Sequence, residues 1–183
     1  TKENALANLE LYQILVDKDG IVPYPQETDD KKYWVKEPQE IEFQCACSDF
    51  WWCLNNVAKG LWRNELPYAM DVINFVLRPH LKRLLEWEID IEHNFSVSVG
   101  KSSKYFKKYL SEDKYRQFLA TYSVAEIESI WNSVFGMCNL FQCTAVEFSK
   151  KQNFSYDFEQ AKNSLNFLQH VRKLPVNAKE IYP

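Results

Sequence analysis

The chain has 183 residues, enough to bury a core without help from metals or disulfides. Its 22 basic and 25 acidic side chains are mixed along the sequence and leave a net charge of −3, so no charged tail announces a nucleic acid or a membrane surface, and any anion site must be local. The five cysteines, three of them clustered as Cys45, Cys47 and Cys53, do not form a secreted disulfide framework, and no apolar run approaches the roughly 20 residues that span a bilayer, so a cytoplasmic chain is expected.

Residues 1–37 differ from the remainder. LYQILVDKDG is a short apolar run ending in an Asp-Gly turn, and the three prolines of VPYPQETDDKKYWVKEP follow it. A strand near Tyr12 to Val16 would lack a partner in the sequence that follows, so its partners are expected in another domain or chain. Asp17 and Asp19 have Asp-x-Asp spacing, but they lead into Gly20, where a turn explains them.

From Pro38 a helical period takes over. Pro38 suits a first helical turn, with Glu40 and Glu42 favourable to the helix dipole behind it. Phe50, Leu54, Val57 and Leu61 define a core stripe, and Gly60 falls inside the pattern. Asn64 is placed to cap a second helix with Leu66, Met70, Ile73, Leu77, Leu81 and Leu84 inward, and Pro79 should kink it. Phe95, Val97 and Val99 alternate with polar residues, predicting an extended stretch over 94–99 that Gly100 breaks before the basic segment KSSKYFKKYL. Ser111 offers another cap. Ser123 and Glu126 form a capping-box pattern ahead of a long helix carrying Ile127, Ile130, Val134, Cys138, Phe141, Ala145 and Phe148. A last helix carries Phe158, Ala161, Leu165 and Leu168 and ends before Pro175. With only four glycines, the expected fold is mainly α: an up-and-down bundle of five or six helices preceded by a short extended segment and linker.

Three places could carry chemistry. On a helical wheel Trp52, Asn56, Lys59 and Arg63 lie opposite the first core stripe, so Trp52 is covered by a neighbour or ligand or is left exposed, whereas Trp51 and Trp62 flank the core. Asp71, Asn74, Arg78 and Lys82 form a polar ridge, ordinarily a solvated face, in which Asp71 could hold a cationic sugar. Lys101, Lys104, Lys107 and Lys108 fall after Gly100, at the expected start of a helix. There they oppose the dipole by roughly 0.3–1 kcal/mol each unless an anion meets them, although a solvated basic stripe explains them equally well. His80, His93 and His170 share no metal-ligand spacing and the cysteines lack a second pair, so no metal is assigned. No nucleophile elbow or Walker loop is present.

The string DFWWCLNNVAKGLWRNELPYAMDVINFVLRPHLKRLLEWEI, with SVGKSSKYFKKYL and LATYS after it and LVDKDG and YWVKEP before it, resembles the C-terminal half of the aminoglycoside 6-adenylyltransferases, the streptomycin adenylyltransferase family. The likeness runs from about Leu11 to Phe148. It implies that residues 1–37 are the end of a preceding nucleotidyltransferase domain and its linker, and that 38–183 are a helical substrate-binding domain. Members of that family move AMP from ATP to a hydroxyl of streptomycin with Mg²⁺. Their glycine-serine turn and metal-binding aspartates belong to the first domain, and neither motif occurs here, so ATP and Mg²⁺ are expected in a full-length parent and this chain alone is expected to bind neither and to be inactive. The resemblance places Lys101, Lys104 and Tyr122 toward the nucleotide, and Trp52, Asn56, Lys59 and Asp71 toward the aminoglycoside or the missing domain; catalytic and metal residues are expected in that domain. No nucleic-acid or membrane partner is expected. The competing expectation is a non-enzymatic helical module that associates through the Trp52 face.

Overall fold

The computed structural model describes residues 14–20 and 30–182. Tyr12 and Gln13 of the Tyr12–Val16 segment lie outside them, and Ile14, Leu15 and Val16 are not part of a strand. The fold is mainly α, as expected, with no strand among the described residues. Helix α1 spans Glu40–Trp62, α2 Leu66–Val72, α3 Arg78–Ile91, α4 Phe106–Tyr109, α5 Glu112–Leu119, α6 Ile127–Gln152 and α7 Phe158–Lys173. α1 packs against α2, α3 and α7, and α6 covers α3 and α5.

The core follows the helical period. Phe50, Leu54, Val57 and Leu61 of α1 are buried, as are Ile73, Leu77, Leu81 and Leu84; Leu66 and Met70 are half-buried. Phe50 lies flat on Phe141 of α6 with ring centroids 3.8 Å apart, and Trp51 meets both rings edge-on. The Trp51 indole N–H donates to the Tyr156 hydroxyl at 3.1 Å, satisfying the one polar atom this fully buried ring carries. From α7, Ala161 and Leu168 are buried, while Phe158 is exposed.

Several helix ends depart from the sequence reading. Pro38 precedes α1, whose N-cap is Gln39 in a capping box with Glu42. Asn64 does not cap α2. It ends α1 in the left-handed region (φ 61°), and the amide of Glu65 reaches back to Gly60 O at 2.8 Å, a Schellman closure. The turn brings α2 against α1 so tightly that a Cβ on Gly60 would stand 2.9 Å from the Tyr68 ring. Glu126, not Ser123, precedes α6, and no side chain caps it. Ser111 does cap α5, its Oγ accepting from the Lys114 amide at 3.2 Å.

Pro79 acts differently from a simple kink. Its ring would crowd the carbonyl of Phe75, four residues earlier, and the chain widens there into a π-helical turn over Ile73–Leu77, with the Arg78 amide bonding to Ile73 O. α2, this turn and α3 therefore run on as one rod with a bulge that leaves Phe75 76% exposed.

The 94–99 stretch is not a strand. Asn94 and Phe95 are both left-handed, at φ 52°, and the chain then extends with Val97 half-buried and Val99 buried. Asp90, fully buried at the end of α3, organises the turn: Oδ1 accepts from the Val97 amide, and its carbonyl accepts from the amides of His93 and Phe95. Val97 O in turn accepts from the Val35 amide at 3.3 Å, which ties the linker to this loop.

Candidate functional site

The linker, the N-terminal turns of α1, α3 and the loop after Val99 enclose a groove of about 1280 Å³. That exceeds the roughly 300–1,000 Å³ of an ordinary small-ligand pocket, so it is an open cleft with space for a nucleotide or a sugar of several rings. Tyr33, Trp34, Trp87, Tyr105 and Tyr109 supply aromatic walls. Its cations, Lys36, Arg83, Lys101, Lys104 and Lys108, outnumber its carboxylates, Asp30, Glu42 and Glu86. Such a balance favours a polyanion over a polycation.

The carboxylates are already occupied. Asp30 accepts from the Trp34 indole at 2.8 Å, Glu42 from the Gln39 amide at 2.8 Å, and Glu86 from the Ser103 hydroxyl at 2.8 Å. Because each is turned to a different protein donor, they do not converge as a divalent cation requires. Among the described residues no group of three potential ligands is close enough to hold a metal, and no Mg²⁺ step is assigned to this chain. In contrast, Lys101 and Lys104 are exposed and form no ion pair among the described residues. Lys104 Nζ lies 4.8 Å from the centroid of the Tyr105 ring.

The basic segment does not begin a long helix. Lys101–Ser103 make one 3₁₀ turn and α4 has only four residues, so the helix-dipole argument for an anion fails here. What replaces it is a shaped loop, with Gly100 at φ 73°, Ser102 at 59° and Ser103 at 62°.

The other sequence-derived candidates lie elsewhere. Tyr122 is outside the groove lining and stacks on Arg78, whose guanidinium carbon is 3.7 Å from the ring centroid. Trp52 (70% exposed), Asn56 and Lys59 occupy the outward side of α1, and Asp71 is exposed on α2; none of the four lines the groove. Trp34, Arg83, Glu86, Trp87 and Tyr105 do line it and were not singled out from the sequence. The YWVKEP and KSSKYFKKYL motifs contain two of them, but the fold alone joins these motifs to α3.

The sequence matches the family model described as "Streptomycin adenylyltransferase" over residues 1–171. The chain belongs to this family. It is 35% identical over 151 residues to an aminoglycoside 6-adenylyltransferase of Bacillus subtilis (strain 168), covering 82% of this chain and 53% of that protein. It is 36% identical over 160 residues to one of Staphylococcus aureus, covering 87% and 56%. The crystal structure of an aminoglycoside 6-adenyltransferase from Bacillus subtilis superposes with a TM-score of 0.71 at 31% identity, covering 94% of this chain and 63% of that one. The chain thus spans a little over half the length of the curated relatives it matches. Both lysines of GKSSK line the groove, as do Tyr33, Trp34, Val35, Lys36 and Pro38 of YWVKEP.

Below the groove, Asp90 makes a measurable prediction. Burial pushes its carboxyl up to about 6, against the opposing pull of the Val97 amide and His93, with Glu86 adding to the rise. A folded-state value above the unfolded one of about 3.9 means that the folded chain holds the proton more tightly, so stability is lost as pH rises from about 4 through 6. Asp90→Asn keeps an acceptor for Val97 and cannot ionise. Urea unfolding at pH 4 and pH 7 should show the variant relatively stabilised at pH 7, by up to about 2–3 kcal/mol. An unchanged difference between wild type and variant across that range would contradict it.

Proposed function

We propose that this chain is the helical, substrate-side domain of a cytoplasmic enzyme that transfers AMP from ATP to a hydroxyl of a streptomycin-like aminoglycoside. Residues 1–37 belong on this reading to the nucleotidyltransferase half and its linker. The carrying observation is the placement of Lys101 and Lys104, exposed and without ion-pair partners among the described residues, in a basic groove walled by aromatic rings. Exposed ammonium groups at that site can receive the phosphate oxygens of ATP and stabilise the charge that gathers on the departing pyrophosphate. Aromatic rings beside them can stack on a base or cover a sugar face. The metal that family chemistry calls for would be held by residues outside the described ones.

The test is radiolabel transfer from α-labelled ATP to streptomycin by a full-length parent carrying this chain, run beside the 183-residue chain alone. Labelled streptomycin from the parent and none from the chain alone is the expected result. A parent that labels no aminoglycoside would overturn the reading.

A second reading, association through the outer face of α1, draws support from the exposure of Trp52. Sedimentation at dilute concentration separates the two. A dimer that Trp52→Ala dissolves, together with no transfer by the parent, would favour association.

A further inference from the structure

Lys101 and Lys104 can meet one polyphosphate only if the loop between them keeps its shape, and that shape is intrinsically unfavourable. Ser102 and Ser103 both sit in the left-handed region, at φ 59° and 62°. There the Cβ of an ordinary residue crowds the following carbonyl oxygen, so two such residues in succession persist only when the surroundings hold them.

Two side chains one turn apart on α3 do so. The Lys82 ammonium donates to Ser102 O at 3.0 Å, and the Ser103 hydroxyl donates to Glu86 Oε1 at 2.8 Å. Ser103 is buried against the helix, while Lys101 and Lys104 on either side of it are exposed. From the other direction, the Tyr105 amide donates to Val99 O at 3.0 Å, and the Tyr105 ring lies where a Cβ on Gly100 would be 2.7 Å from it. The loop is therefore pinned at both ends, and Glu86 is its only carboxylate anchor among these contacts.

We propose that Glu86 is a positioning residue for polyphosphate recognition: through Ser103 it holds the 100–104 loop in the left-handed form that presents Lys101 and Lys104 to the groove. The proposal rests on the nucleotide reading of that groove given above. Glu86 acts through the loop, because a carboxylate set against phosphate oxygens would repel them. Burial raises its carboxyl above the usual range, whereas the Ser103 hydroxyl, Lys82 and Arg83 pull it back, so the groups that favour its charged form include both ties to the loop.

The experiment compares Ser103→Ala, Glu86→Ala and Glu86→Gln in the full-length parent, with ATP and streptomycin as substrates. Ser103→Ala and Glu86→Ala should each raise KM for ATP about tenfold while kcat and the KM for streptomycin stay within about twofold, since the loss is in nucleotide placement. Glu86→Gln retains an acceptor for the Ser103 hydroxyl and should recover most of the affinity, which a role in bulk charge would not allow. Amide hydrogen exchange across 102–105 should quicken in the two alanine variants and not in Glu86→Gln. Ser103→Ala removes a single oxygen and keeps the question answerable if Glu86→Ala does not fold. Unchanged ATP KM and loop exchange in Ser103→Ala, or reduced stability with unchanged KM, would overturn the positioning role. An unaltered ATP KM in a Lys101→Ala/Lys104→Ala double variant would instead remove the nucleotide reading beneath it.

Discussion

Replacing Lys101 and Lys104 together by alanine in the full-length parent is expected to lower kcat/KM for ATP by about a hundredfold or more. A hydrogen bond from a charged donor to an ionised acceptor contributes about 1.5–3 kcal/mol, or roughly ten- to a hundredfold each. Both lysines are exposed, so the lower figure applies to each, and salt should weaken wild type more than the double variant. Steady-state kinetics at low and moderate ionic strength measures both effects. Arginine at the two positions keeps the charge and should retain more activity than alanine. If the double variant works at the wild-type rate, the groove is not the nucleotide site.

What could be read from the sequence followed from periodicity. The stripes in α1, α3 and α6 repeat over many turns, and tertiary packing reinforced them, so Phe50, Leu54, Leu81, Val134 and Phe141 are all buried. Helix ends were less legible because one residue type serves opposite roles. Asparagine suits both the N-cap and the left-handed position after a helix, and at Asn64 the close approach of Tyr68 to Gly60 selects the second role. The alternation over 94–99 reports burial on one side, but among the described residues there is no neighbouring strand to convert it into a ladder; the Asp90 carboxylate and Val35 supply the bonds instead. At the site, the lysine cluster was visible as a charge pattern. Glu86 and Trp87 were not, because on a helix they read as ordinary flank residues until the linker folds across them. No local pattern links YWVKEP to α3 across some fifty residues.

Arg78→Ala should be among the most destabilising single changes in the chain, at about 3–5 kcal/mol, with little effect on ATP affinity. Arg78 is 6% exposed, yet it belongs to a ridge that sequence alone would leave in solvent. Its guanidinium donates to Thr121 Oγ1 at 2.6 Å, to Thr121 O at 3.0 Å and to Asn74 Oδ1 at 3.2 Å, and it stacks on Tyr122. Two buried bonds from a charged donor at about 1.5–3 kcal/mol each account for the lower bound, and the stacking, about 0.5–2 kcal/mol, extends it. This clamp joins α3 to the turn after α5, so its loss should also free the end of α5. Arg78→Lys cannot make the forked contact to Thr121 and should recover only part of the stability. Tyr122→Ala then distinguishes the two roles available to that ring. If Tyr122 serves the clamp, its removal lowers the unfolding free energy by about 1–2 kcal/mol and leaves the KM for ATP alone. If it reaches the nucleotide, KM rises while Arg78→Ala and Tyr122→Ala behave as independent, additive changes in stability. A double-mutant cycle on the two residues, followed by urea unfolding, decides between these: a coupling near 1 kcal/mol assigns Tyr122 to the clamp.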